Sequence, residues 1–404
     1  MARDMKIALI TYDNFPFGGA PANLLRYFAL AVARENNEVE VILPTGNYYG
    51  NKIDINTKRN GNIENIRYKH LCFKIHPKNL IGKFVDNICS LILPIFYLIQ
   101  ANHKKKIDKI ILYNANFFGV LASLFIKIAI RTKLIIIIPE FYEKPKSRFI
   151  SLSLIRWYNF YFGLKYLSKY ASSFIVLSNF LRNYLVNTLK VNKPILILPN
   201  LMDPNNFNVT GNKPFINNKI TIGYAGTPTR KDGVMDLIES FGILNKKNPD
   251  THLLIIGDVI FSNSILPQLK DRAMKLGINE NITFTGLVSF SKIPELLNAC
   301  QILALTRPNG ISAEAGFPTK LGEYFACRKP VVITRVGDIP LYFKNGEHVI
   351  IVNPGDINSI MNGFEKLIND KGLSERLCNN AYDWMDANLN YKNMSKKLCE
   401  FIAK

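Results

Sequence analysis

The chain has 404 residues, enough for two domains of roughly 200 residues each. Hydrophobic residues make up 48% of it and charged ones 20%, which excludes a disordered polymer and describes a globular protein. Of the formal net charge of +20, residues 1–200 carry +17, with 28 Lys and Arg against 11 Asp and Glu, while the remainder holds 23 against 20.

A basic N-terminal half points to one of three partners: an anionic membrane surface, an anionic substrate or nucleic acid. The six cysteines contain no C-x-x-C pair, which argues against a zinc site or a disulfide framework and fits a reducing compartment. The opening MARDMKIALI runs straight into a strand, and no signal peptide is expected.

Residues 5–10 read as a buried strand, followed by the loop Thr11–Ala20 with Gly18-Gly19, a helix over 21–34 and a strand over 39–43. This strand–loop–helix–strand unit opens a doubly wound sheet, and the glycine pair lets backbone approach a ligand. The pair is not G-x-G-x-x-G, so a nicotinamide or flavin enzyme is a weak reading. Residues 45–80 are polar and show no clear period. Helical patterns cover 80–103, where the longest apolar run, Ile88–Ile99, is 12 residues and contains Pro94. A membrane span needs about 20 residues. The run therefore reads as a buried helix or as one lying in a membrane interface.

Residues 109–113 form a strand and 117–131 a helix. Leu134–Ile138 is an unbroken aliphatic run rich in β-branched isoleucine, as a parallel sheet requires, and its carboxyl end delivers Glu140. Residues 148–170 interleave Lys and Arg with Trp, Tyr and Phe, which suits either an interfacial helix or a helix packed at a sheet edge. Strands follow at 173–177 and 194–198. The stretch from Pro199 to Pro214, with three prolines and repeated asparagines, reads as a linker. At Ile220 the rhythm restarts: a strand over 220–225, the loop Gly226–Gly233 and a helix over 234–245. Strands at 253–256, 282–284, 302–305 and 331–333 continue it, with helices near 264–276, 292–299, 319–328, 356–369 and 373–402.

The stretch Glu314–Thr334 stands out. Leu321, Tyr324 and Phe325 form one apolar stripe of a short helix, stopped by Pro330. Lys320 lies in its first turn, where the helix dipole disfavours a cation by about 0.3 kcal/mol or more. Either an anion sits there, or Lys320 is a solvated surface lysine.

At these residues the chain resembles the retaining GT-B glycosyltransferases of family 4, also called group 1. The resemblance rests on Gly226-Thr-Pro-Thr-Arg-Lys-Asp-Gly233 and on Gly316–Thr334, with Leu198–Asp203 and Phe17–Ala20 in support. It implies an α/β GT-B fold of two Rossmann-like αβα domains facing each other across a cleft. The expected domains are 1–200 for the acceptor and 201–380 for the nucleotide-sugar, with a segment 381–404 packing back on the first.

The donor implied is a UDP-, GDP- or similar nucleotide-sugar, with no further cofactor and no metal, in keeping with the absence of a D-x-D pair. Donor-binding residues implied are Gly18, Gly19, Arg230, Lys231, Arg307, Thr319, Lys320, Leu321 and Glu323. The N–H groups of Thr319, Lys320 and Leu321 would cradle the phosphates, and Glu323 would take the ribose hydroxyls. Two departures stand out. Thr227 occupies a usual arginine position, so Arg307 is expected to supply that charge. Glu314 and Glu323 are separated by eight residues where the family has seven, so either Ala315 is extra or Glu314 is not the counterpart. Glu314 is assigned to the transferred sugar. Glu140, where many relatives have a histidine, is assigned to orienting the acceptor or donor sugar.

The expected function is hexosyl transfer to a glycan or lipid-linked acceptor in surface polysaccharide or glycoconjugate synthesis. The site would be cytoplasmic, with the protein peripheral on the inner face of an anionic membrane. Two readings stand beside it: a nucleotide-sugar epimerase of the same fold, and a non-enzymatic basic protein that binds nucleic acid or membrane. No nucleic-acid recognition motif is present to favour the last.

Overall fold

The structure is a computed structural model that describes residues 4–47, 58–145, 152–209, 214–258 and 264–404. The chain divides into two compact units, residues 1–201 with 391–404, and residues 202–390.

The first unit holds strands β1 (Lys6–Thr11), β2 (Glu38–Leu43), β3 (Asn60–Ile63), β4 (Ile66–His70), β5 (Lys109–Tyr113), β6 (Lys133–Ile138), β7 (Ser173–Val176) and β8 (Ile195–Ile197). They form one sheet in the order β3-β4-β2-β1-β5-β6-β7-β8. All neighbours are parallel except β3 with β4. The interior strands are buried on both faces, as their continuous Ile, Val and Leu runs require. The β3–β4 hairpin was not expected. Its residues are polar because it forms the sheet edge, and an edge strand shows no apolar run.

The helices of this unit are α1 (Ala20–Arg34), α2 (Leu80–Lys104), α3 (Phe117–Ala129), α4 (Leu152–Phe162) and α5 (Asn179–Asn183). Strand order reverses at β1, so right-handed crossovers put α1 on one face of the sheet and α2, α3 and α4 on the other. The helix expected over 148–170 is less regular than its pattern. Residues 148–151 lie outside the described residues, and beyond α4 the chain widens into a π turn over Gly163–Leu167. A Cβ on Gly163 would lie 2.2 Å from the Ala115 carbonyl oxygen, so only glycine lets this turn sit on the loop after β5.

The second unit holds β9 (Ile220–Ala225), β10 (Thr251–Ile256), β11 (Ile282–Phe284), β12 (Ile302–Leu305), β13 (Val331–Thr334) and β14 (Ile350–Val352). Their order, β11-β10-β9-β12-β13-β14, is that of a doubly wound dinucleotide-type sheet, all parallel. Strand β14 was not among the expected strands. The helices are α6 (Val234–Lys247), α7 (Leu266–Lys275), α8 (Ile293–Asn298), α9 (Ile311–Ala315), α10 (Thr319–Ala326), α11 (Ile339–Tyr342), α12 (Ile357–Asn369) and α13 (Lys371–Asn388).

Two expectations change. The described part of the stretch read as a linker is docked: Pro204 and Phe207 are buried, and the Asn298 side-chain amide donates to the Phe207 carbonyl at 2.8 Å. The final helix read as 373–402 is two helices, with α13 staying on the second unit. Only α14 (Tyr391–Ala403) joins the first unit, where it packs on α1, so the returning segment is shorter than 381–404.

Candidate functional site

In an open parallel sheet, ligands gather beyond the carboxyl ends of the strands where strand order reverses. In the second unit that point lies between β9 and β12, and the loop 226–233 and Arg307 both emerge there. Two glycines press this loop into place. Gly233, at φ +67°, has its Cβ position 1.8 Å from the Thr306 carbonyl oxygen, and its own carbonyl accepts from the Thr306 hydroxyl at 2.8 Å. Gly226, at φ +139°, has its Cβ position 2.1 Å from Cε of Lys320. Any side chain at Gly226 would occupy the space that Lys320 fills.

Lys320 is thus not a solvated surface lysine. Its Nζ donates to the Tyr224 hydroxyl at 2.7 Å and to Asp232 Oδ1 at 3.0 Å, and it lies 4.5 Å from the centre of the Tyr224 ring. The ion pair is largely out of water, with side chains 17% and 10% exposed. The other Asp232 oxygen accepts from the Thr229 hydroxyl at 2.8 Å. Burial pushes the Asp232 carboxyl up, but Lys320, Thr229 and Arg307 outweigh it and hold it below the usual carboxylate value. Burial pulls the Lys320 ammonium below its usual value, against the charge of Asp232. The same is true of the Arg307 guanidinium.

Arg307 donates to the Ser312 carbonyl at 3.4 Å, while its buried Nε has no hydrogen-bond partner among the described residues. A buried donor left unmet costs about 1–3 kcal/mol, and a group that also carries charge is expected to meet a ligand. Two cations therefore share the Asp232 carboxylate here, and Glu323 also acts on Lys320.

Helix α10 begins at Thr319 with Pro318 before it, which has no side-chain acceptor for the first N–H groups. The Leu321 N–H is already taken by the Pro318 carbonyl at 3.1 Å and its side chain is core, so Leu321 does not face a ligand as expected. Thr319 and Lys320 remain as the open start of the helix. One turn on, burial pushes the Glu323 carboxyl up to about 7, with Lys320 acting against it. Its neighbour Tyr324 is fully buried and its hydroxyl accepts from the Ala225 N–H at 2.8 Å, which ties α10 to the end of β9.

Arg230 and Lys231, the expected phosphate ligands, are exposed, and the residue of that loop that turns inward is Asp232. Glu314 sits on the short helix α9 and accepts from the Gly337 N–H at 3.3 Å. Gly337 has φ +53°, and its Cβ position lies 2.6 Å from the Ala313 carbonyl oxygen, so glycine is needed for this contact. Asp232, Tyr224, Tyr324 and Gly337 were missed. The buried positions of Tyr224 on its strand and of Tyr324 on the apolar stripe of its helix were visible beforehand, but not their contacts.

In the first unit, the reversal point lies between β1 and β5. Gly18 and Gly19 are exposed at the start of α1, which has no side-chain cap. Glu140 is exposed beyond β6 and faces Asp13, a residue the sequence reading did not select. Burial and then the Glu140 charge push the Asp13 carboxyl up to about 6. The Tyr142 hydroxyl accepts from the Asn114 amide at 3.2 Å, and burial and Glu140 push that hydroxyl well above its ordinary value. These groups make a patch of two carboxyls and a phenol suited to sugar hydroxyls.

Residues 209–384, which contain the whole Lys320 cluster, match the family described as "Glycosyl transferases group 1". The capsular polysaccharide biosynthesis glycosyltransferase CapM of Staphylococcus aureus is 30% identical over 166 residues, which span 41% of this chain and 41% of CapM. The chain thus matches about two fifths of that relative's length. Among solved structures, sucrose-phosphate synthase from Thermosynechococcus elongatus superposes with a TM-score of 0.74 at 16% identity, covering 98% of each chain. Anabaena HepE in complex with UDP and glucose gives 0.70 at 16% identity, covering 99% of this chain and 100% of that one. The fold is GT-B. Its C-terminal unit is the part that carries the group 1 match.

Proposed function

We propose that the protein is a glycosyltransferase that moves a hexose from a nucleoside diphosphate sugar to a glycan or lipid-linked acceptor. The reading adds retention of anomeric configuration, a place in surface polysaccharide or glycoconjugate synthesis, and catalysis without a metal. One observation carries it: Lys320 and Arg307 converge at the switch point of the second sheet, beside the open start of α10, with a single Asp232 between them.

The chemistry follows from charge. Breaking the bond between the anomeric carbon and the phosphate oxygen leaves a nucleoside diphosphate with one more negative charge. Prearranged cations and helix N–H groups stabilise that charge best in a site that excludes water. Lys320, Arg307 and the N–H groups of Thr319 and Lys320 take that role, and the exposed Arg230 and Lys231 steer the anion in. Glu323 accepts the ribose hydroxyls. Glu314, fixed by Gly337, is the group assigned to the transferred sugar. Within the first unit, Gly18 and Gly19 with Glu140 and Asp13 are assigned to binding sugar hydroxyls. The match to the group 1 family over this unit supports the reading, as does HepE, whose structure holds UDP and glucose. CapM, named for capsular polysaccharide biosynthesis, supports the acceptor class.

A panel of UDP- and GDP-sugars, read by thermal shift and by slow donor hydrolysis with and without EDTA, tests it. A melting shift and hydrolysis with one donor, unchanged by EDTA, are expected. No binding by any nucleotide would overturn the reading, and loss of hydrolysis with EDTA would overturn its metal-free part.

A further inference from the structure

Helix α2 is built inside out. At its sheet-facing stripe stand Asp86, Ser90, Pro94 and Leu98, all buried. Asp86 has no exposed surface, lies 2.7 Å from His76 Nδ1 and accepts from the Gly46 N–H at 3.4 Å. The opposite stripe carries Ile81, Phe84, Ile88, Ile92 and Phe96, spaced at one helical face, with Phe84 66% and Phe96 67% exposed. A helix at a water surface has the reverse pattern. Polar residues turned toward the protein and aromatic ones turned away describe a helix whose outer neighbour is apolar.

The pattern extends across the layer. Helix α3 packs between α2 and α4 and exposes Phe118, Phe125 and Ile128, the last at 73%. On α4 and its continuation Ile155, Tyr158 and Tyr166 are exposed. The charge on this layer has one sign. Residues 80–104, 117–129 and 152–170 contain a single carboxylate, the buried Asp86. The exposed charges are cations: Lys83 and Lys104 near the two ends of α2, Lys106 just beyond it, Arg156 on α4, and Lys165 and Lys169 on its continuation. The segment Ile81–Lys104 is long and apolar enough to cross a membrane by length and composition. It does not stand alone, however, because it packs on α3 and holds Asp86 and Ser90 against the protein.

We infer that the α2–α3–α4 face docks in the interface of an anionic lipid bilayer, with its apolar side chains among the acyl chains and its lysines and arginines on the headgroups. Aromatic and aliphatic residues supply burial, and the one-signed charge supplies selection for anionic lipid. A second copy of this chain is disfavoured as the occupant, since pairing two such faces brings like charges together. The inference stands on this face alone and does not depend on the transferase reading.

The test is flotation of the full chain with vesicles of phosphatidylcholine containing or lacking phosphatidylglycerol, at low and high salt. The wild type is expected to float only with phosphatidylglycerol and to float less in high salt. The variant Phe84→Gln/Phe125→Gln/Ile128→Gln is expected to lose at least tenfold in partitioning at unchanged melting temperature. The variant Lys104→Glu/Lys165→Glu, confined to exposed side chains, is expected to lose binding to anionic vesicles even if the first variant folds poorly. Three results would overturn the inference: no flotation of the wild type, flotation of both variants at wild-type level, or a wild-type dimer in gel filtration that the first variant turns into a monomer.

Discussion

The Nζ of Lys320 lies 3.0 Å from Oδ1 of Asp232, although 88 residues separate the two in the chain. The pair settles why a lysine occupies the first turn of α10, where the dipole opposes it. Asp232 supplies the local counter-charge, Tyr224 a second acceptor, and Gly226 the room. What the loop 226–233 contributes to the pocket is thus a carboxylate that positions a cation from elsewhere.

Asp232→Asn tests that positioning role. Burial already lowers the Lys320 ammonium and Asp232 raises it, so removing the carboxylate lowers it further. The variant is expected to lose its preference for UDP over uridine at lower pH than the wild type does, and Asp232→Glu recovers part of the loss. Titration calorimetry at several pH values checks this. An unchanged UDP profile in the variant would assign Asp232 a structural role only.

Glu323 sets a pH dependence of its own. Its folded value near 7 lies above the ordinary 4.5 because burial penalises the carboxylate. Between those values the folded state holds the extra proton, so ionising Glu323 removes stability as pH rises through 7. Glu323→Gln is therefore expected to melt higher than wild type at pH 8 and equally at pH 4. Uridine affinity runs the other way, because the carboxylate accepts two hydroxyls where the acid accepts less well. It is expected to rise from pH 6 to 8 in the wild type and to stay flat and weak in Glu323→Gln.

Much of the fold was legible because its interior strands are largely aliphatic runs, such as Leu134–Ile138, that a parallel sheet buries on both faces. What escaped lay at edges and ends. The β3–β4 hairpin has no apolar run, β14 is three residues long, and the break between α13 and α14 falls where the chain changes unit. Lys320, Glu323 and Arg307, all selected from the sequence, do act on one another in the second unit, but the direction of side chains was not legible. A loop reading Thr-Arg-Lys-Asp offers two cations to a sequence argument, and the structure turns Asp232 inward and leaves Arg230 and Lys231 in water. The apolar run of helix α2 left burial and a membrane interface both open, and the structure buries Asp86, Ser90, Pro94 and Leu98 while Phe84, Ile88 and Phe96 are exposed.

The loop glycines separate backbone clash from side-chain clash. Gly233→Ala meets the backbone carbonyl of Thr306, just after β12, and it adopts a left-handed φ. It is expected to cost about 2–3 kcal/mol or more of stability. Gly226→Ala meets the flexible end of Lys320, so it is expected to cost less stability and more UDP affinity. Chemical denaturation and UDP titration on both variants check the difference.

In the first unit, Asp13 is raised to about 6 by burial and then by Glu140. Glu140→Gln removes the like charge, so the Asp13 carboxyl is expected to titrate at lower pH, read by carbon-detected magnetic resonance. An unmoved titration would show that the two carboxyls do not interact.

The central claim is that Lys320 reads the diphosphate, and the affinity of UDP against uridine for Lys320→Met tests it most directly. A charge-assisted hydrogen bond contributes about 1.5–3 kcal/mol, so UDP binding is expected to weaken on the order of 10–100-fold while uridine binding stays unchanged. An equal loss for both ligands, or none for UDP, would contradict the account.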